Sequence, residues 1–287
     1  MRHVFSVRVG PYGFRIGSDW RAPIAMLADL YRDYPALADG VPDFTMRLAA
    51  PRPWRRFIRP SVAIEGDYRL PGAAPLPLAQ GLLAAEMGMN LQLALGARRH
   101  VLLHASVVER DGRAIVMTGQ SGAGKSTLAT LLAARGWRFM GDEFALLHPA
   151  TGLLHALPRL VSLKNEGVAA ACAARPDARF GPLLADTPKG DVRHLVPDAA
   201  AIAQMDVPAR PALLVFPRFG FEPASRPVSP SEVFIRLTHA STNYVTLGEP
   251  GFRALTMLVA DIPAIAIDYP DGASGVAAVE AAWADLA

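Results

Sequence analysis

The octapeptide Gly119-Gln120-Ser121-Gly122-Ala123-Gly124-Lys125-Ser126 satisfies G-x-x-x-x-G-K-[ST] in full and constrains the chain more than any other segment. An apolar run, Ala114 to Thr118, leads into it. A run of helical character, Lys125 to Arg135, leads out of it and stops at Gly136. Strand, glycine loop and helix in that order form a phosphate cradle. The glycines let backbone amides wrap an anion that side chains would otherwise block. The helix then points its positive end at the same anion. Lys125 is expected to reach the β and γ phosphates, and Ser126 to offer its hydroxyl to Mg²⁺, which prefers oxygen ligands. The expected ATP-binding residues are Gly119, Gln120, Ser121, Gly122, Ala123, Gly124, Lys125, Ser126 and Thr127. A chance glycine-rich turn is the competing reading, and the flanking strand and helix argue against it.

Asp142 and Glu143 lie seventeen and eighteen residues beyond Lys125, inside a stretch (Trp137 to Leu147) that reads as one apolar strand. Two acids among Met140, Phe144 and Leu146 need a reason. One can serve Mg²⁺ while the other takes a proton from an attacking hydroxyl. A strand end where both meet water is the alternative. His104 sits in the preceding strand, Val101 to Val108, on the same two-residue face as Ser106. A strand histidine is usually structural, but this strand turns at Arg110-Asp111-Gly112 straight into the strand before the loop.

Lysine is rare: Lys125, Lys164 and Lys189 are the only three, and every other member of the 29 Lys and Arg is arginine. A lysine kept against that bias weakly suggests a need for a compact ammonium. Lys164-Asn165 follows an apolar run, and Thr187-Pro188-Lys189-Gly190-Asp191 is turn-like; either can meet phosphate or be a solvated loop.

The 287 residues suggest a large domain with a smaller partner. Residues 1–76 read as a small α+β unit, closed by the linker Pro71 to Pro77; residues 77–287 hold the loop and read as the catalytic domain. A helix is expected over Leu78 to Leu95, buried strands over Ala212 to Phe216 and Ala264 to Ile267, and a capped helix from Ser229-Pro230-Ser231-Glu232. The net charge of +3 gives no field that would select nucleic acid. No run is long and apolar enough to span a bilayer, so no membrane association is expected. Cys172 is the single cysteine, which excludes an internal disulfide and leaves a reducing cytoplasm as the expected location.

Three further segments carry a resemblance: Leu103-His104-Ala105-Ser106-Val107-Val108, the loop with Thr127, and Arg135-Gly136-Trp137 with Asp142-Glu143. Together they resemble the C-terminal catalytic domain of HPr kinase/phosphorylase. The chain as a whole is similar to the HprK-related kinase A family, with Glu86-Met87-Gly88-Met89-Asn90 and Asp142-Glu143-Phe144 adding to the likeness. The resemblance implies a P-loop kinase domain of HPr kinase type, a mixed sheet with flanking helices. It implies a catalytic set of Asp142 as base toward a protein serine, His104 orienting that aspartate, and Lys125. It implies a metal side of Ser126 and Glu143, beside Asp142. Glu143 stands where the family has aspartate, a longer arm with the same charge. The arginine- and glycine-rich signature tied to phosphorolysis is absent, so reverse phosphorylase activity is not expected. A protein or peptide acceptor is implied, and an assembly of like chains.

The expectation is therefore an α/β, Mg-dependent and ATP-dependent kinase acting on a hydroxyl. A small-molecule kinase, or a nucleotide-gated peptide-binding module with little turnover, stays open beside it.

Overall fold

The computed structural model describes residues 2–37 and 40–286. The architecture is mixed α/β, with several sheets flanked by helices. Strands β1 (His3–Val9) and β2 (Tyr12–Ser18) form an antiparallel hairpin that turns at Gly10 and Pro11. Helix α1 (Arg21–Leu30) crosses to β3 (Phe44–Ala49), which pairs parallel with β2. Strands β4 (Ser61–Gly66) and β5 (Leu76–Pro77) complete a five-stranded sheet in sequence order.

Helix α2 (Gly81–Gly96) lies beyond the expected boundary at residue 76, yet it packs on β3, β4 and α1. Leu82, Leu83, Met89 and Leu93 are buried against Phe14, Leu27 and Met46. That cluster runs on through Phe144, Leu146, Leu157 and Leu160, so one apolar core spans the N-terminal sheet and the neighbourhood of the acid pair. Almost every face of α2 is apolar, as a helix buried on several sides requires.

A buried polar link crosses the same seam. Glu86 on α2 accepts from Arg159 at 2.6 Å and from the Tyr31 hydroxyl at 2.9 Å, and Arg159 also reaches Asn90. Neither Glu86 nor Arg159 meets water appreciably. Removing one partner of such a pair leaves a lone buried charge. Glu86→Leu is expected to lower the unfolding free energy by about 3–5 kcal/mol, measured by urea denaturation.

The second half is built on a six-stranded sheet, in the order β16 (Ala224–Pro227), β17 (Ala264–Tyr269), β15 (Arg210–Phe219), β8 (Arg113–Thr118), β7 (Ala105–Arg110) and β9 (Arg138–Gly141). Its centre is parallel (β17, β15, β8) and its edges antiparallel. Helices α3 (Lys125–Ala133) and α9 (Gly272–Ala284) pack together, with their core on this sheet at Val108, Met117 and Val215. On the other side, α6 (Pro230–Ala240) and α8 (Glu249–Asp261) close over Val107, Val116 and Leu214. Helix α6 starts as expected: Pro230 is at its first position and the Ser229 hydroxyl accepts from the Glu232 amide.

Two expected strands are each broken in two. The run 101–108 divides into β6 (Val101–Leu103) and β7, with His104 at the break. The run 137–147 divides into β9 and β10 (Ala145–Leu147), with Asp142 and Glu143 at the break. Strands β7 and β9 belong to the six-stranded sheet. Strands β6 and β10 pair with each other in a separate sheet with β11 (Leu154–His155). Both runs therefore leave one sheet for another at the same place. A left-handed Glu143, at φ +68°, makes one of the two breaks. A second three-stranded sheet, β12 (Val161–Lys164), β14 (Gly190–Leu195) and β13 (Leu184–Thr187), adjoins α3 through β12 and the following helix α4 (Glu166–Ala174).

Among the described residues no helix is long and apolar enough to cross a membrane.

Candidate functional site

The glycine loop joins the C-terminal end of β8 to α3. Gly124 caps the helix at φ +87° with no side chain to spare: a Cβ there would lie 2.2 Å from the Tyr269 hydroxyl oxygen. That hydroxyl donates to the Ala123 carbonyl at 3.1 Å, so the end of β17 buttresses the loop. Gly122 has the same left-handed φ. Lys125 is buried and folds back over the loop, its ammonium donating to the carbonyls of Gly119 (2.7 Å) and Gln120 (3.0 Å). Burial holds the Lys125 pKa below its ordinary value, against the pull of Asp142 and Glu143. Gln120, Ser121, Gly122 and Ala123 line a groove of about 1310 Å³ that runs past His104, Phe144 and the aromatic side chains of Phe216, Phe219 and Phe221. The hydroxyl of Thr127, the last expected loop contact, lies against α4: a Cβ on Gly167 would come within 2.6 Å of it.

Asp142 comes to the first turn of α3. Its Oδ1 accepts from Ser126 Oγ at 3.0 Å and from Ser106 Oγ at 2.5 Å. The side chain is almost fully enclosed, and Oδ2 has no partner. Burial, and then the neighbouring Glu143 carboxylate, push the Asp142 pKa up, while the two serine hydroxyls oppose the rise.

Glu143 points elsewhere. Its Oε2 lies 3.4 Å from His104 Nδ1, and the two side chains are 25% and 40% exposed, against 6% for the Asp142 residue. The expected His104–Asp142 contact is therefore replaced by a His104–Glu143 contact. The reason is the backbone: the left-handed turn at Glu143 aims consecutive side chains to different places. His104 itself is pinned, its amide donating to the Ala240 carbonyl at 2.8 Å and its carbonyl accepting from Thr118 Oγ1 at 2.9 Å. Burial and the Lys125 charge hold the His104 pKa down, against the pull of Glu143.

Ser106 is the residue that sequence reasoning passed over. Its signal was present, a hydroxyl on the face shared with His104 in an otherwise apolar strand. Arg159 had no such signal; only the fold brings it, with Lys189, Glu86 and Asn90, to a narrow cavity that Asp142 and Glu143 also line.

Chemically, the site holds an amide-lined loop with an ammonium, a hydroxyl paired to a buried carboxylate, and an imidazole paired to a more open one. Among the described residues no three His, Cys, Asp or Glu side chains converge to hold a metal ion. A Mg²⁺ carried by a nucleotide does not need three, because it takes one or two protein carboxylates and completes its shell with phosphates and water.

A family model described as SynChlorMet cassette protein ScmC matches residues 84–178, from α2 to just beyond α4. That stretch includes the loop, His104 and the acid pair but covers less than half of the chain. No curated protein gives a significant match.

Proposed function

We propose that the chain is an ATP- and Mg-dependent phosphotransferase of the HPr kinase type, moving a γ-phosphoryl group to the hydroxyl of a serine or threonine in a protein or peptide. The observation that carries the reading is the Ser126–Asp142 contact at the first turn of α3, directly after the glycine loop, with the Glu143–His104 pair beginning at the next residue. A loop alone supports nucleotide binding; a paired acid and imidazole beside it support transfer.

The geometry favours exchanging the two acid roles that the family resemblance implied. Asp142, enclosed and bonded to the Ser126 hydroxyl, is placed to share a Mg²⁺ with it. Bound there, the ion would neutralise charge on the phosphates. Glu143, more exposed and backed by His104, is placed to take the proton of the acceptor hydroxyl. As that proton leaves, the acceptor oxygen bonds to the γ phosphorus. The bond from that phosphorus to the bridging β oxygen breaks, and ADP departs. Lys125 supplies positive charge where the phosphate oxygens gather.

The test is incubation with γ-labelled ATP, Mg²⁺ and a lysate of the source cells, read by label on protein, peptide and metabolite fractions. Label on a peptide or protein hydroxyl is expected. Label confined to metabolites would make the protein a small-molecule kinase. Nucleotide bound with no label moved would make it a binding module.

A further inference from the structure

The three lysines of the chain lie on segments that meet around the glycine loop and the acid pair. Lys125 lies on the loop. Lys189 lines the narrow cavity that Asp142, Glu143 and Ser162 also line. Lys164 ends β12, two residues after Ser162 on the same strand. Three residues further on, Gly167 packs on Thr127 of the glycine-loop helix, which fixes this strand end against the start of α3. Lys164 shares a strand face with Ser162, as residues two apart on a strand do. Among the described residues neither Lys164 nor Lys189 makes an ion pair, although the acid pair lies beside them.

The backbone that presents these two ammoniums is tightly built. Asn165 adopts a left-handed φ of +48°, uncommon for a residue with a side chain. Its amide donates to the Asp191 carbonyl at 2.9 Å, and its Oδ1 accepts from the Asp191 amide at 3.2 Å. Gly190, at φ +82°, leaves room for that side chain; a Cβ there would come within 2.4 Å of Asn165 Oδ1. Thr187 Oγ1 donates to the Gly190 carbonyl at 2.6 Å and accepts from the Lys189 amide at 3.1 Å. Asn165 thus ties the end of β12 to the turn that carries Lys189. Strained backbone held by such contacts tends to mark a position that matters.

We propose that Lys164 and Lys189 form a second phosphoryl-binding element, carried by the β12–β14–β13 sheet, which grips the transferred phosphoryl group from the acid-pair side. The inference rests on the phosphotransfer reading and adds to it. The glycine loop holds the nucleotide in both its ATP and ADP forms, whereas the lysine element engages only the group that moves. It makes ATP and ADP distinguishable to the protein, and it gives the developing charge cationic partners besides Lys125.

The experiment compares affinities for ADP and for the imido analogue of ATP, both with Mg²⁺, in the wild-type protein and in Lys164→Ala, Lys189→Ala, Lys164→Arg and Lys189→Arg. Each alanine variant is expected to bind ADP within about twofold of wild type but the ATP analogue about tenfold more weakly, a loss near 1.4 kcal/mol. The arginine variants, which keep the charge, are expected to recover part of the loss. Equal affinities for both nucleotides in all four variants would overturn the proposal. So would an equal loss for ADP and analogue, which marks a structural role. A wild-type protein that binds neither nucleotide would overturn the phosphotransfer reading itself.

Discussion

Lys125→Ala is expected to weaken Mg·ATP binding, and to slow any turnover, by about a hundredfold or more, the usual cost of removing one preorganised charged donor from a site of this kind. The lysine is enclosed and its ammonium is already held over the loop by the carbonyls of Gly119 and Gln120. Little ordering is therefore left to do when an anion arrives, and most of the electrostatic gain is realised. A titration with a fluorescent ATP analogue checks this directly. Wild-type affinity in the variant would mean that the loop does not use its lysine for phosphate. The fold should tolerate the change, because the apolar positions of α3 that meet the sheet are Leu128, Ala129 and Leu132.

The second large effect separates the two acids. Glu143→Gln is expected to keep Mg·ATP affinity while transfer to an acceptor falls by about 10²–10⁴, the range for loss of a general base. Asp142→Asn is expected to act earlier, by weakening the dependence of nucleotide binding on Mg²⁺. The measurement is paired: nucleotide affinity across a Mg²⁺ titration, and single-turnover transfer of label. The opposite pattern, with Asp142→Asn binding normally and failing to transfer, would return the base role to Asp142. His104→Gln belongs with Glu143 in this scheme, since the imidazole contacts that carboxylate.

How far the sequence carried these conclusions depended on whether the chemistry was local. The loop was legible because its spacing encodes its own backbone: Gly124, a required glycine of the motif, takes a left-handed φ, as does Gly122 at one of its free positions. Helix α6 was legible for the same reason, its capping serine and proline lying within four residues. The wiring of the acid pair was not. The run Trp137 to Leu147 is largely apolar on both sides of its two acids, and nothing in that pattern marks where a strand changes sheets. The left-handed turn at Glu143 and the break at His104 are set by β6 pairing with β10 and by the tie from His104 to Ala240. These contacts join residues roughly forty and more than a hundred positions apart. The separation of α2 from the N-terminal sheet failed likewise: the proline-rich linker suggested a boundary, but the helix beyond it had an apolar surface that the sheet was needed to cover.

The double crossing of the chain between two sheets has a consequence for how activity would be lost. His104 and the acid pair are not carried on loops that can loosen one at a time. Both are stitches in one seam, and the strands that flank them, β6 and β10, are only three residues long and hold each other. Opening that short pair would release the imidazole and both carboxylates together, while β8, the glycine loop and α3 kept their own support. Mild heat or denaturant should therefore uncouple transfer from nucleotide retention, and amide exchange in 101–104 and 142–147 should rise as one cooperative unit before the centre of the large sheet yields.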